Sequence, residues 1–452
     1  MPTPTDDPAP KPPVRPGRGR LRNAAVALVL GVAMFTAGAV LLPPDDSSSP
    51  AGPVPPAGDG AAPGRGSVAA LRERVRQVPG DWTGWAGLGM AEVQQAGSTA
   101  DSAAYARAEG ALRKSLKLHP AGNYQAEAGM GALAAARHDF TRALHWARRA
   151  TTTNPSGPTG YGVLADAYTQ LGRYEASYGA VQRMTDLRPD AASLARASYT
   201  WELRGDTASA RTLMKRALRA APTPAQRAFA HVHLATLALD TGDASTALAE
   251  ASAGLRESPR DAALLEARAR AHTALGNTTR AVRDYTAAAG IAPLPHYLLG
   301  LGELQQSLGH RQRAEEQYDV LRAQDTARRA NSADADVDAI LYEADHGNAA
   351  KAAAMAEETL RSRPFIAVHD ARAWALHRAG RHREALAHAD KALALGTRSA
   401  LFHYHRAMIH RALGDTTAAR QDLTAALDTN PHFHPLHAPR ARTVLRRIDA
   451  TP

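Results

Sequence analysis

Glycine returns at a nearly fixed interval through most of this chain, at Gly172, Gly205, Gly242, Gly276, Gly309, Gly347, Gly380 and Gly414, with successive gaps of 33, 37, 34, 33, 38, 33 and 34 residues. A glycine that ends a helix can turn the backbone left-handed at little cost. A period near 34 therefore divides the chain into repeated helix–turn–helix units. The residue after the glycine is often an N-capping type, as at Asp206, Asn277 and Asp415, and would start the second helix of its unit. Prolines at Pro120, Pro155, Pro189, Pro222, Pro259, Pro293, Pro364 and Pro431 would close that helix, because a ring without an N–H cannot continue it. Aromatic residues make up 5% of the chain, a poor supply for the strands of a sandwich or barrel. Abundant small, unbranched residues suit helices instead.

Within each unit the same positions recur together. The third unit carries Tyr161, Leu164, Ala165, Tyr168, Gly172, Tyr174, Ser177 and Pro189. Second-helix positions Ala108, Ala143, Ala210, Ala247, Ala281, Ala314, Ala352, Ala385 and Ala419 face Gly89, Gly131, Ala165, Ser198, Ala235, Ala269, Gly302, Ala373 and Ala407 on the first helices, Ser177 taking the place in the remaining unit. Small side chains on both sides let two helices approach closely, and bulk there would overpack the contact. Unit eight departs, with Ile340 at the small position.

This pattern resembles the tetratricopeptide-repeat family over residues 82–431, in about ten units. The resemblance implies an all-α solenoid. Residues 67–81, with Val68, Leu71 and Val75 on one face, read as an N-terminal capping helix. Residues 432–452, with Leu436, Val444, Leu445 and Ile448 set against arginines, read as the C-terminal one.

The segment ahead of the repeats is of another kind. Residues 1–22 are Pro-rich and basic, with Lys11, Arg15, Arg18, Arg20 and Arg22, and are expected to be a disordered cytoplasmic tail. Residues 23–42 form an uncharged run of 20 residues, which at ~1.5 Å rise just crosses a ~30 Å hydrocarbon core. Basic residues before it and Asp45 and Asp46 after it predict one transmembrane helix that places the repeats outside the cytoplasmic membrane. The competing reading is a signal peptide cleaved near Ala37–Gly38–Ala39 and a secreted product; the apolar run exceeds the usual signal core, which favours the anchor. Residues 43–66, rich in Pro, Gly and Ser, would be a spacer.

Chemistry of the catalytic kind is not visible. No glycine is followed by lysine and no His-Glu-x-x-His helix occurs, so neither a phosphate-binding loop nor a zinc-protease helix is present. There is no cysteine, which removes thiolate metal sites and thiol nucleophiles. The expectation is a binding protein without enzymatic activity or cofactor. Net charge is +10, but Arg alternates with Asp and Glu, as on solvated helix faces, and no basic stripe with stacking aromatics marks a nucleic-acid surface. Nineteen histidines stand out. His231, His369, His403, His272 and His410 fall on packing positions of the repeat, whereas His432, His434 and His437 lie outside it and are the candidate ligands of a metal-handling alternative.

The resemblance also implies that first helices line a concave groove for protein or peptide partners. Positions where relatives grip a carboxylate with Lys and Asn fall here on residues such as Glu266, Leu299 and Val337. One turn on they fall on Asp166, Tyr199, Thr236, Arg270, Glu303 and Leu341, and none of the matching places carries Lys or Asn. Instead Val337, Leu341, Trp374, Tyr404 and Met408 form an apolar stretch. It is read either as a partner-binding groove anchored by Trp374 or as a surface covered by a neighbouring superhelical turn or the C-terminal cap.

Overall fold

A computed structural model describes residues 67–99, 102–330 and 335–450. The tail, membrane span and spacer read at 1–22, 23–42 and 43–66 lie outside the described residues. Among the described residues the chain forms 22 helices and no strands. None of those helices is long and apolar enough to cross a membrane.

Each unit is built as its composition dictates. In the third, the helix Pro158–Gln170 starts on a proline, where the missing N–H is no loss. Gly172 adopts φ +67°, and Arg173 N–H then reaches back 2.8 Å to the Tyr168 carbonyl, which satisfies an otherwise orphaned acceptor. The helix Tyr174–Leu187 folds back, and Ser177 donates 2.9 Å to the Ala165 carbonyl at the close crossing. Equivalent contacts elsewhere are filled by fully buried alanines such as Ala269 against Ala281. At Gly302 even one added carbon would overlap the Tyr318 ring.

Unit eight differs in two ways. Gly347 has φ −120° and is not left-handed; here the Glu343 carboxylate accepts from Asn348 N–H and closes the helix end instead. Ile340 is fully buried and shares a core with Ala352, Ala353 and Ala356, whose small side chains leave the space a larger one takes. Asn277 stands at an N-cap but makes no side-chain capping bond, whereas Asp206 and Asp415 accept from Ser209 and Ala418 N–H.

The stack of units winds far enough to meet itself. Tyr174 Oη accepts from Ile366 N–H at 3.0 Å, Thr397 Oγ1 donates to the Leu203 carbonyl, and Asn430 Nδ2 donates 2.7 Å to the Leu239 carbonyl. These pairs are 192, 194 and 191 residues apart, so one superhelical turn takes between five and six repeats of ~34 residues. The turns after the first helices of units three to five thus dock on the loops that close units eight to ten. Leu203, Phe365, Ile366 and Val368 make the seam apolar, with Tyr174, Tyr199, Leu395 and Phe402 packed around them.

Candidate functional site in the superhelix interior

Docking one turn on the next closes the concave groove into a lumen of about 570 Å³, within the size range of ligand sites. Its walls are the inner faces of first helices: Tyr199 and Glu202 from Ala191–Leu203, Asp240 from Pro224–Asp240, Glu266 and Arg270 from Ala262–Ala274, Leu299 and Glu303 from Pro295–Ser307, and Val337, Leu341 and Asp345 from Val337–His346. The segment 432–435 and His437 close one end.

The lumen is acidic. Seven carboxylates line it (Glu202, Asp240, Glu266, Glu303, Asp336, Asp338 and Asp345) against three arginines (Arg270, Arg363 and Arg398). Burial pushes the Glu202 carboxyl up to about 8, with the neighbouring Asp240 charge adding to it. Asp240 and Glu266 are also raised by burial, although Arg270 draws both down. Asp338 is raised by burial and by Asp336 beside it. Glu303 goes the other way. Burial opposes its charge, but His434 at 2.9 Å and His346 at 3.3 Å outweigh that and hold its carboxyl well below the usual range.

Three of the five residues expected in an open groove are elsewhere. Trp374 and Tyr404 are fully buried, and Met408 is 3% exposed. Only Val337 and Leu341 line the lumen. The physical reason is the C-terminal segment. His437 stacks on Tyr404 with centroids 4.9 Å apart and meets Trp374 edge-on at 5.6 Å, while Phe433 lies 5.6 Å from Tyr404. Behind Trp374, His405 stacks on the indole at 4.3 Å and is held by Asp370 at 2.9 Å. The indole N–H donates 3.0 Å to Asp345 Oδ2, which His437 Nε2 also approaches at 3.2 Å. The last units therefore follow the second of the two readings, a stretch covered by the C-terminal segment, and have an aromatic core there in place of an exposed anchor.

The terminal histidines likewise turn to carboxylates. His434 pairs with Glu303 and His437 with Asp345, each reaching across to another unit, while His432 is exposed. Among the described residues no group of three or more His, Cys, Asp or Glu side chains is placed to hold a metal ion.

Sequence reasoning missed Gln170, Asp240 and Asp345 as lining residues. Each stands one further helical turn along its first helix than the inward positions Asp166, Thr236 and Leu341, and residues four apart share a helix face. Extending the inward stripe by that turn would have found them.

Burial also sets the pH response. His233, His296, His369, His377, His388 and His437 are each pushed down to about 4, burial being the main cause. Their folded values lie below the ordinary imidazole value, so the unfolded chain takes up protons first as pH falls through ~6.5. Their stabilising effect is complete above ~6.5 and is lost toward pH 4. His434, raised by Glu303 against burial, and the carboxyls that burial raises at Glu202, Asp240, Glu266 and Asp338 work in the opposite direction. Removing one depressed imidazole, as in His233→Gln, should therefore shift the thermal midpoint at pH 5 upward relative to its value at pH 7, compared with the unaltered chain; an unchanged difference between the two pH values would contradict this.

The tetratricopeptide repeat family model matches residues 128–192, 233–294 and 371–432, and the chain carries tetratricopeptide repeats there. No curated protein matches it in sequence. Among solved structures it is similar to a tetratricopeptide repeat protein from Parabacteroides merdae ATCC 43184, at 22% identity over 57% of this chain and 98% of that one, TM-score 0.34. PilF of Pseudomonas aeruginosa is similar at 15% identity over 49% and 96%, TM-score 0.36. The human IFIT1 dimer is similar at 12% identity over 81% and 95%, TM-score 0.43.

Proposed function

We propose that this tetratricopeptide-repeat chain is an interaction scaffold that receives a segment of a protein partner in its superhelical lumen and is held at the cytoplasmic membrane by residues 23–42. The lumen carries the reading: inward-facing first helices from several units converge on one concave space of about 570 Å³. Such a concave, partly apolar space with a few converging polar groups is the default binding site of a fold. Val337 and Leu341 supply apolar wall, and the surrounding carboxylates supply orientation. The uncharged run with basic residues ahead of it supports the anchor, with the repeats outside.

Photo-crosslinking in intact membranes tests both halves together. A photoreactive side chain at Leu341, on the lumen wall, should capture a partner that the same group at Arg283, 70% exposed on the outer face, does not. Protease added outside the cytoplasmic membrane should digest the repeats and leave residues 1–22 intact. Capture only from position 283 would remove the lumen as the site, and repeats protected from protease would reverse or abolish the anchor.

A further inference from the structure

The lumen wall combines apolar side chains with a set of carboxylates, and part of that set has no close counter-charge. Glu303 and Asp345 are occupied by histidines. Asp240 and Glu266 share Arg270 at 3.7 and 3.8 Å, longer than a tight ion pair. Glu202 has no side-chain hydrogen bond or ion pair among the described residues, and it lines the same space as Asp240 and Glu266. A second, independent observation stands beside it. Gln170, 7% exposed, lines the lumen, and its carbonyl Oε1 meets no donor among the described residues. A buried acceptor left unmatched is costly and is seldom retained without a reason.

We propose that the lumen is selective for a cationic peptide segment, whose Arg or Lys side chain is received by Glu202, Asp240 and Glu266 together with the Gln170 carbonyl. This rests on the lumen being the partner site, and names the chemistry of the partner. A guanidinium presents five donors and no acceptor, and an ammonium three donors and none, which matches a wall of carboxylates and an amide oxygen. The overall charge cannot supply this preference. At +10 the chain as a whole favours anions at long range, so attraction of a cation comes from the carboxylates gathered on the lumen wall.

Titration of the full chain with hexa-arginine, hexaglutamate and an uncharged Gly-Ser hexapeptide, each carrying a photoreactive end group, tests this. Hexa-arginine should bind, label the lumen, and lose about tenfold or more in affinity in Glu202→Gln with Glu266→Gln, whereas Glu358→Gln with Glu384→Gln, on exposed positions away from the lumen, should change nothing. Both double variants are isosteric, and unchanged melting points would show that they fold. Labelling of the lumen by the uncharged or acidic peptide in preference to hexa-arginine overturns the cation preference and leaves the lumen as the partner site. Hexa-arginine binding that both double variants leave intact overturns the assignment to Glu202 and Glu266. Spermine displacing hexa-arginine at equal concentration would overturn the peptide in favour of a free polyamine.

Discussion

Trp374→Ala should unfold the C-terminal units of the array at markedly lower denaturant, with a loss of about 3–5 kcal/mol. The indole is fully buried, so its removal forfeits transfer energy and leaves a space that stacked neighbours cannot fill without moving. His405 and His377 lie on the indole at 4.3 and 5.1 Å, and both would lose that face. The indole N–H to Asp345 is lost as well, at a further ~1–3 kcal/mol for a buried acceptor left with fewer donors. Asp345 also holds His437, so the closure of the lumen end should loosen in the same transition. Trp374→Phe separates the contributions, since it keeps most of the ring and removes only the donor. In a stacked array each unit leans on its neighbours and unfolding need not be two-state. The readout is therefore the midpoint of the transition followed by hydrogen exchange in residues 366–449. A variant that keeps the wild-type midpoint and only loses partner capture would return Trp374 to the role of an exposed anchor.

That result would also measure how far a one-dimensional reading of this chain reaches. The helices were legible because glycine, small residues and proline recur in a fixed order, and local backbone chemistry follows that order directly. Gly172 and Gly205 turn left-handed where the period demands it, at φ +67° and +78°. The inward stripe was legible in its middle part for the same reason: Tyr199, Glu266, Arg270, Leu299, Glu303, Val337 and Leu341 do line the interior. What the period does not contain is closure. Winding is the sum of small rotations from unit to unit, and contacts between residues 191 to 194 apart depend on that sum and on no single repeat. The same blindness left Trp374, Tyr404 and Met408 between two readings, an open groove and a covered surface. By register they face inward, but the segment Phe433–His437 returns across the groove and covers Trp374 and Tyr404. The terminal histidines look like metal ligands along the chain and become carboxylate partners once Glu303 and Asp345 are brought to them.

Closure can be tested at one atom. Gly205→Ala should cost more than Gly276→Ala, although both positions are left-handed, at φ +78° and +74°. For an L-residue that conformation costs roughly 1–2 kcal/mol, and Gly276→Ala should show that cost alone because nothing lies within 4 Å of the added carbon. At Gly205 the added carbon would overlap the Gly396 carbonyl oxygen on the next superhelical turn. Backbone cannot yield as a side-chain end can, so the loop at residues 396–398 must move away. The Thr397 bond to the Leu203 carbonyl should then break, and the apolar seam of Leu203, Phe365 and Ile366 should part beside it. Small-angle scattering should record a larger radius of gyration for Gly205→Ala and an unchanged one for Gly276→Ala, with helix content the same in both. An opened seam also admits water to the lumen, which restores solvent to Glu202 and should bring its carboxyl back from about 8 toward the ordinary range. Equal radii and equal destabilisation in the two variants would mean that the turns do not dock in solution, and the lumen would revert to an open groove.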